Sequence, residues 1–251
     1  MQAEKKANIL GCQVDLVDAG QALERIENFI EIGKPAHVIT LNAEIVYEAR
    51  TNIELNNIIN QAHLVTPDGI GIVWGGRKLG YQFQERVTGI DLLYQLCDRA
   101  AVRGWSVYLL GSAPGVAESA ARRLQEKYNE LKVCGIHDGY FKQEDIPALI
   151  KEIRGKIPQI LFVALGAPSQ EFWIQEYKDL LEVPVCIGVG GSFDVISGNK
   201  KRAPSWMIAL NIEWLYRLLS EPSRLKRQMV LPRFVAAIFA EKRKLRRMGR
   251  E

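Results

Sequence analysis

The run Ile160-Leu-Phe-Val-Ala-Leu165 is apolar at six consecutive positions. A strand with one face in water alternates apolar and polar residues, so an unbroken run calls for burial on both faces. Similar runs recur along the chain. Strands are expected over 8–17, 38–42, 64–67, 106–111, 132–136, 159–166 and 183–189. Helical periodicity lies between them, over 44–59, 90–103, 115–128, 145–154 and 169–181. Strands that alternate with helices need crossover connections, and these build a parallel sheet covered on both sides. The expected class is α/β: a mostly parallel, Rossmann-like sheet with helices on both faces, followed by a helical, basic C-terminal appendage.

Composition agrees with a packed core: the chain has 251 residues, 47% hydrophobic and 25% charged. Cys12, Cys97, Cys134 and Cys186 show neither CxxC nor Cys/His metal spacing, so they read as reduced core residues. Met1-Gln-Ala-Glu-Lys-Lys6 leads into no apolar run of signal-peptide type, so no secretory leader is expected. No stretch approaches the roughly 18 uninterrupted apolar residues of a spanning helix.

Charge divides the chain unevenly. Positions 217–251 carry eleven Lys/Arg and three Glu, a net +8, while the other 216 residues carry 22 basic and 26 acidic groups, a net −4. We expect two parts, a catalytic body over 1–199 and an appendage over 200–251. Within the appendage, 206–219 is apolar on nearly all sides, so as one helix it would have to be buried. Beyond it, large apolar residues mix with basic ones, as suits an interfacial helix on anionic lipid.

Two strand ends carry the chemistry. His37-Val-Ile-Thr-Leu-Asn-Ala-Glu44 and His63-Leu-Val-Thr-Pro-Asp-Gly-Ile-Gly71 each stop on small polar residues and enter a helix. Ligands of open parallel sheets bind outside such carboxyl ends. Thr40, Asn42 and Asp68 would therefore share one crevice, with one carboxylate to act as general base. A helix cap ahead of Ile70 is the alternative for Asp68. Glycine-rich turns follow three further strands, at 111–115, 166–170 and 188–192, and favour a nucleotide diphosphate. The dinucleotide fingerprint and a Walker lysine are both missing, which weighs against a nicotinamide-dependent oxidoreductase. His137-Asp138, adjacent on a strand, reads as structural.

The motifs ITLNAE, TPDGIG, RVTGxD, LLGSAPG, DGYF, LGAPSQE and GVGGSFDVISG recur in order from Cys12 to about Arg227. In these the chain resembles the WecG/TagA/CpsF family (glycosyltransferase family 26). The resemblance implies a UDP-sugar donor and a polyprenyl-pyrophosphate-linked sugar acceptor at the inner face of the cell membrane. It implies a cytoplasmic protein, peripheral on that face. The branch of wall teichoic acid synthesis adds N-acetylmannosamine to undecaprenyl-pyrophosphate-linked GlcNAc with inversion. Other branches use N-acetylmannosaminuronic acid or glucose.

By the same resemblance Asp68 is the catalytic base and Thr40 the second catalytic position. Asn42 and Gln170 match pocket residues, and Arg86 is the body cation for the diphosphate. Arg217, Arg224 and Arg227 match appendage arginines that fold over the site. The role of Asp194 stays open between nucleotide and turn cap. The sequence has no Asp-x-Asp, so no metal and no other cofactor is expected. A homo-oligomer in solution and an anionic membrane surface are the expected partners of the apolar and basic tail. A nucleic-acid-binding role for Lys242-Arg-Lys-Leu-Arg-Arg247 is the rival reading, and no base-reading motif supports it.

Overall fold

The computed structural model describes residues 5–220 and 229–248, the Arg217 side chain excepted. It begins with a hairpin, β1 (Lys6–Ile9) and β2 (Cys12–Asp15), paired antiparallel. A single strand over 8–17 was the expectation. Leu10 and Gly11 instead take positive φ, 52° and 97°, and turn the segment back on itself. Helix α1 (Ala19–Ile32) follows, started by an Asp18/Gln21 capping box.

The α/β alternation then runs through β3 (Ala36–Leu41), α2 (Ala43–Ala49), α3 (Ile53–Gln61), β4 (Leu64–Pro67), α4 (Ile70–Leu79) and α5 (Gly89–Arg103). It continues with β5 (Ser106–Gly111), α6 (Val116–Lys127), β6 (Lys132–His137), α7 (Ile146–Lys156), β7 (Ile160–Ala164), α8 (Ser169–Leu181), β8 (Val185–Gly188) and α9 (Ser192–Ile196). The helix expected over 44–59 is two helices. Asn52 accepts the Leu55 N–H at 3.0 Å and so starts α3 afresh, a competition that Asn side chains often win against a continuous helix.

Six strands form one parallel sheet in the order β4-β3-β8-β7-β5-β6. The chain leaves β3 outward to β4, crosses to β5 and β6, then returns through β7 and β8 to meet β3 again. That reversal makes the carboxyl ends of β3 and β8 a switch point, where an open α/β sheet leaves a crevice. Alternate residues of each strand serve opposite faces. Val38, Leu109, Phe162 and Ile187 pack with α1, α5 and α6, whereas Ile39, Leu41 and Val65 pack with α2, α3 and α4. Leu161 and Val163 face α7 and α8. The four cysteines are unbridged, and burial pushes the thiols of Cys12, Cys97 and Cys186 up to about 12. The outer edge of β4 is closed by Asp15, whose buried carboxylate accepts the Val65 N–H at 2.8 Å and pairs with Arg25 at 2.8 Å.

After the sheet come α10 (Ser205–Ala209), α11 (Glu213–Ser220) and α12 (Val230–Met248). The apolar stretch 206–219 is not one buried helix. It breaks after Leu210, where Asn211 has φ 61°, and it leaves Trp206, Leu210, Trp214 and Leu219 exposed, Leu219 to 71%. Helix α12 lies against α2 and α4: Phe234 and Ile238 are buried over Gly75, and Phe239 meets the Trp74 ring edge-on at 5.9 Å. Among the described residues no helix is long and apolar enough to cross a membrane.

Candidate active site

Register brings the two informative strand ends together. Thr40 of β3 stands opposite Thr66 of β4, and Leu41 opposite Pro67. Both threonines lie on the α5 side of the sheet, where the Thr66 hydroxyl donates to the Val87 carbonyl at 3.3 Å. The Thr40 hydroxyl donates to the Gly188 carbonyl at 3.0 Å and ties β3 to β8. Thr40 is buried, so it acts as a strut of this corner more than as a surface of it.

Asp68 follows β4 directly, its backbone N–H held by the Leu41 carbonyl at 2.9 Å. It does not cap the helix that follows it: the N-cap of α4 is Gly69, and no side chain caps that helix. Its carboxylate turns instead to the start of α5 and accepts the Gly89 N–H at 3.1 Å. Gly89 packs closely here, since a Cβ there would sit 3.1 Å from the Thr40 hydroxyl oxygen and would oblige Thr40 to give by a few tenths of an ångström. The Gly89 N–H and the positive end of a 15-residue helix both point at this carboxyl. Asp68 is thus a half-buried carboxylate, aimed by backbone at a switch point, and suited to take a proton from an attacking hydroxyl.

Asn42 caps α2, its Oδ1 accepting the N–H groups of Glu44 and Ile45 at 2.9 and 3.1 Å. Its Nδ2 has no partner among the described residues and is the end available to a ligand. Gln170, on α8, is 2% exposed. Its Oε1 accepts the Gly190 N–H at 3.0 Å and its Nε2 donates to Glu171 Oε1 at 2.9 Å. Most of its hydrogen-bonding capacity is therefore spent inside the protein. Helices α4, α6 and α8 all start at this edge without a side-chain cap, and only α4 has no acidic residue in its first turn, where α6 carries Glu118 and α8 carries Glu171. Asp194 lies in α9, where its carbonyl accepts from Lys200 N and Ser197 Oγ. Among the described residues no three His, Cys, Asp or Glu side chains converge as metal ligands would.

Arg86 is held by the appendage. Its Nη2 donates to the Ile208 carbonyl at 3.1 Å, and its Nη1 lies 3.6 Å from Glu213 Oε2, both side chains being mostly buried. A second tie runs from Arg202 to Asp91 at 2.6 Å, and Asp91 also accepts the Thr88 hydroxyl at 2.6 Å. The segment 86–91 therefore bonds to Asp68 through Gly89 and to the 202–213 segment on either flank. Arg224 and Arg227 lie outside the described residues, as does the side chain of Arg217.

Three participants escaped the sequence reading. Glu213 and Arg202 stand far from their partners along the chain, and no local pattern links them. Glu171 is part of the LGAPSQE string, but what sets it apart is complete burial. Burial lifts its carboxyl from the ordinary range to about 7, against the opposing pull of its bond to Gln170. The His137/Asp138 reading agrees with the structure: the ring Nδ1 meets the Asp138 carbonyl at 2.8 Å, while the Asp138 carboxylate accepts the Tyr140 N–H.

Comparison with known proteins gives concordant results. The chain is 36% identical to an N-acetylglucosaminyldiphosphoundecaprenol N-acetyl-beta-D-mannosaminyltransferase of Bacillus spizizenii over 234 residues, 92% of this chain and 90% of that one. It is 35% identical to the Bacillus subtilis (strain 168) protein of the same name, over 97% of this chain and 93% of that one. A Staphylococcus aureus (strain MW2) protein, again of that name, is 36% identical over 96% and 95% of the two chains. The profile of the glycosyl transferase WecG/TagA/CpsF family matches residues 7–248. The match runs from within the first strand to the end of the last helix, and the chain belongs to the glycosyl transferase WecG/TagA/CpsF family.

Proposed function

We propose that this protein is an inverting glycosyltransferase that moves N-acetylmannosamine from UDP-N-acetylmannosamine to undecaprenyl-pyrophosphate-linked GlcNAc, the teichoic acid linkage unit. The observation that carries the reading is the Asp68 carboxylate, held by the Gly89 N–H next to Thr40 at the carboxyl ends of β3 and β4. Relatives named for this transfer, aligned over nine-tenths or more of both chains, supply the sugar and the acceptor.

The acceptor hydroxyl attacks the anomeric carbon as Asp68 takes its proton. The bond from that carbon to the diphosphate oxygen breaks, and UDP leaves with the electron pair. Negative charge growing on the diphosphate needs preorganised positive groups. The uncapped start of α4, with no acidic residue in its first turn, is one source, and Arg86 with the appendage residues Arg217, Arg224 and Arg227 is the other. In this reading no metal takes part. Asn42 Nδ2 binds sugar hydroxyls or the acetamido group, and Gln170, buried with both amide ends bonded inside the protein, serves that pocket from behind.

We also propose that the appendage meets the inner membrane face, where the acceptor's lipid resides. Exposed Trp206, Leu210, Trp214 and Leu219 support this, since large apolar side chains left in water mark a surface meant to be covered. Each Lys or Arg near an anionic leaflet adds about 1 kcal/mol of attraction. In lipid-free solution a second copy of the chain is the alternative cover.

Transfer from a panel of UDP-sugars to a polyprenyl-pyrophosphate-GlcNAc analogue tests the central claim. N-acetylmannosamine transfer that resists EDTA and drops at least about a thousandfold in Asp68→Asn is the expected outcome. Wild-type turnover in Asp68→Asn would remove Asp68 as the base. Use of another donor alone would move the protein to another branch of the family.

A further inference from the structure

Glu171 is fully buried, and its Oε2 has no hydrogen-bond partner among the described residues. A half-satisfied buried carboxyl destabilises a fold, and an apolar side chain of similar volume in its place is often neutral or stabilising. Glu48 on α2 adds unfavourable charge from the neighbouring element. Stability therefore gives no reason for a carboxyl at this position, and its contacts have to supply one.

Those contacts form a relay toward the reacting corner. Glu171 Oε1 accepts from Gln170 Nε2, and Gln170 Oε1 accepts from the Gly190 N–H. The Gln170 amide rests on Gly188, where a methyl group would collide with it. The Gly188 carbonyl accepts the Thr40 hydroxyl, and Thr40 abuts Gly89, the residue that aims Asp68. An amide has nearly the same shape either way round, so its partners alone decide its orientation. Gly190 requires an oxygen from Gln170, and Glu171, as an acceptor, requires the nitrogen. Without the carboxyl, the amide loses the contact that holds its nitrogen end.

We propose that Glu171 is a positioning residue for sugar transfer: through the Gln170 amide it fixes the end of β8 against Thr40 and the Asp68 corner. The proposal rests on the transferase reading above, and its test keeps the two separable. Glu171→Leu and Glu171→Gln in the full chain are compared by steady-state transfer, by thermal melting at about pH 8, and by hydrogen exchange of the Gly190 amide. Glu171→Leu should lower kcat about tenfold or more, speed Gly190 exchange, and melt no lower than wild type. Glu171→Gln keeps an acceptor for Gln170 and should hold kcat within about threefold of wild type.

A role in packing alone predicts the reverse coupling, with melting temperature and transfer falling together in both variants. That result, or wild-type kcat and exchange in Glu171→Leu, overturns the proposal. Glu171→Met takes the place of leucine if the branched side chain does not pack. Should the wild type transfer no sugar at all, the transferase reading fails, while Gly190 exchange still decides whether Glu171 fixes the strand end.

Discussion

His37 and Glu171 are both buried with incomplete hydrogen bonding, and burial moves their protons in opposite directions. Neither ring nitrogen of His37 makes a full hydrogen bond among the described residues, and burial holds its pKa down at about 3, against an ordinary 6.5 and against a weaker opposing pull from Gln175. The unfolded chain binds a proton there that the folded chain refuses, so stability falls as pH drops from 6.5 toward 3. Glu171 keeps a proton up to about 7 that the unfolded chain has lost above 4.5, so its contribution falls as pH rises between those values. Each slope is at most about 1.4 kcal/mol per pH unit, and they oppose each other where the windows overlap. Urea midpoints measured across pH should therefore show His37→Leu losing less stability than wild type on acidification. Glu171→Leu should lose less on the alkaline side, and unchanged slopes in both variants would contradict these assignments. At this scale Thr40, Asn42 and Asp68 were legible, because residues at the carboxyl end of a parallel strand have their place set by topology. Glu171 was not, since its depth depends on how α8 packs. The clamp on Arg86 was equally hidden, its partner Ile208 lying 122 residues away.

Among the elements, α12 is the one whose docking least resembles that of an independent helix. Its basic residues crowd its C-terminal end, at 242–247, with Arg233 the one exception, and only two of its side chains are fully buried, Phe234 and Ile238. Those two reach the cluster formed by α2, α4 and the hairpin. Truncating a buried phenylalanine costs about 3–5 kcal/mol, and here that loss falls mainly on docking, because the sheet keeps its other cover. Phe234→Ala should open α12 to proteolysis while leaving the far-ultraviolet spectrum of the body nearly unchanged. A melting transition lost as a whole would mean that α12 is part of the body's core. The sheet strands were readable from their unbroken apolar runs. The split of α2 from α3 and the break after Leu210 were not, because each depends on one asparagine, a helix cap in Asn52 and positive φ in Asn211.

For the whole molecule, charge and shape are distributed in a complementary way. The basic excess lies in 217–251, while exposed Trp206, Leu210 and Trp214 precede it and exposed Leu219 stands at its start. The Arg86–Glu213 and Arg202–Asp91 ties join that end of the chain to the segment that aims Asp68. Binding to vesicles rich in anionic lipid should weaken as salt rises, because ions screen surface charge beyond about 10 Å at 0.1 M, but should not vanish, because the apolar contribution persists. Binding equally strong to neutral vesicles would show that charge has no part in it. The position of this surface has an optical consequence as well. Of five tryptophans, Trp173 is buried, whereas Trp206 and Trp214 are 59% and 43% exposed. Water-relaxed, long-wavelength fluorescence should come disproportionately from these two indoles, and covering them would shift the emission to the blue. The chain thus carries its own label-free reporter, placed where coverage by lipid or by a second copy would first be felt.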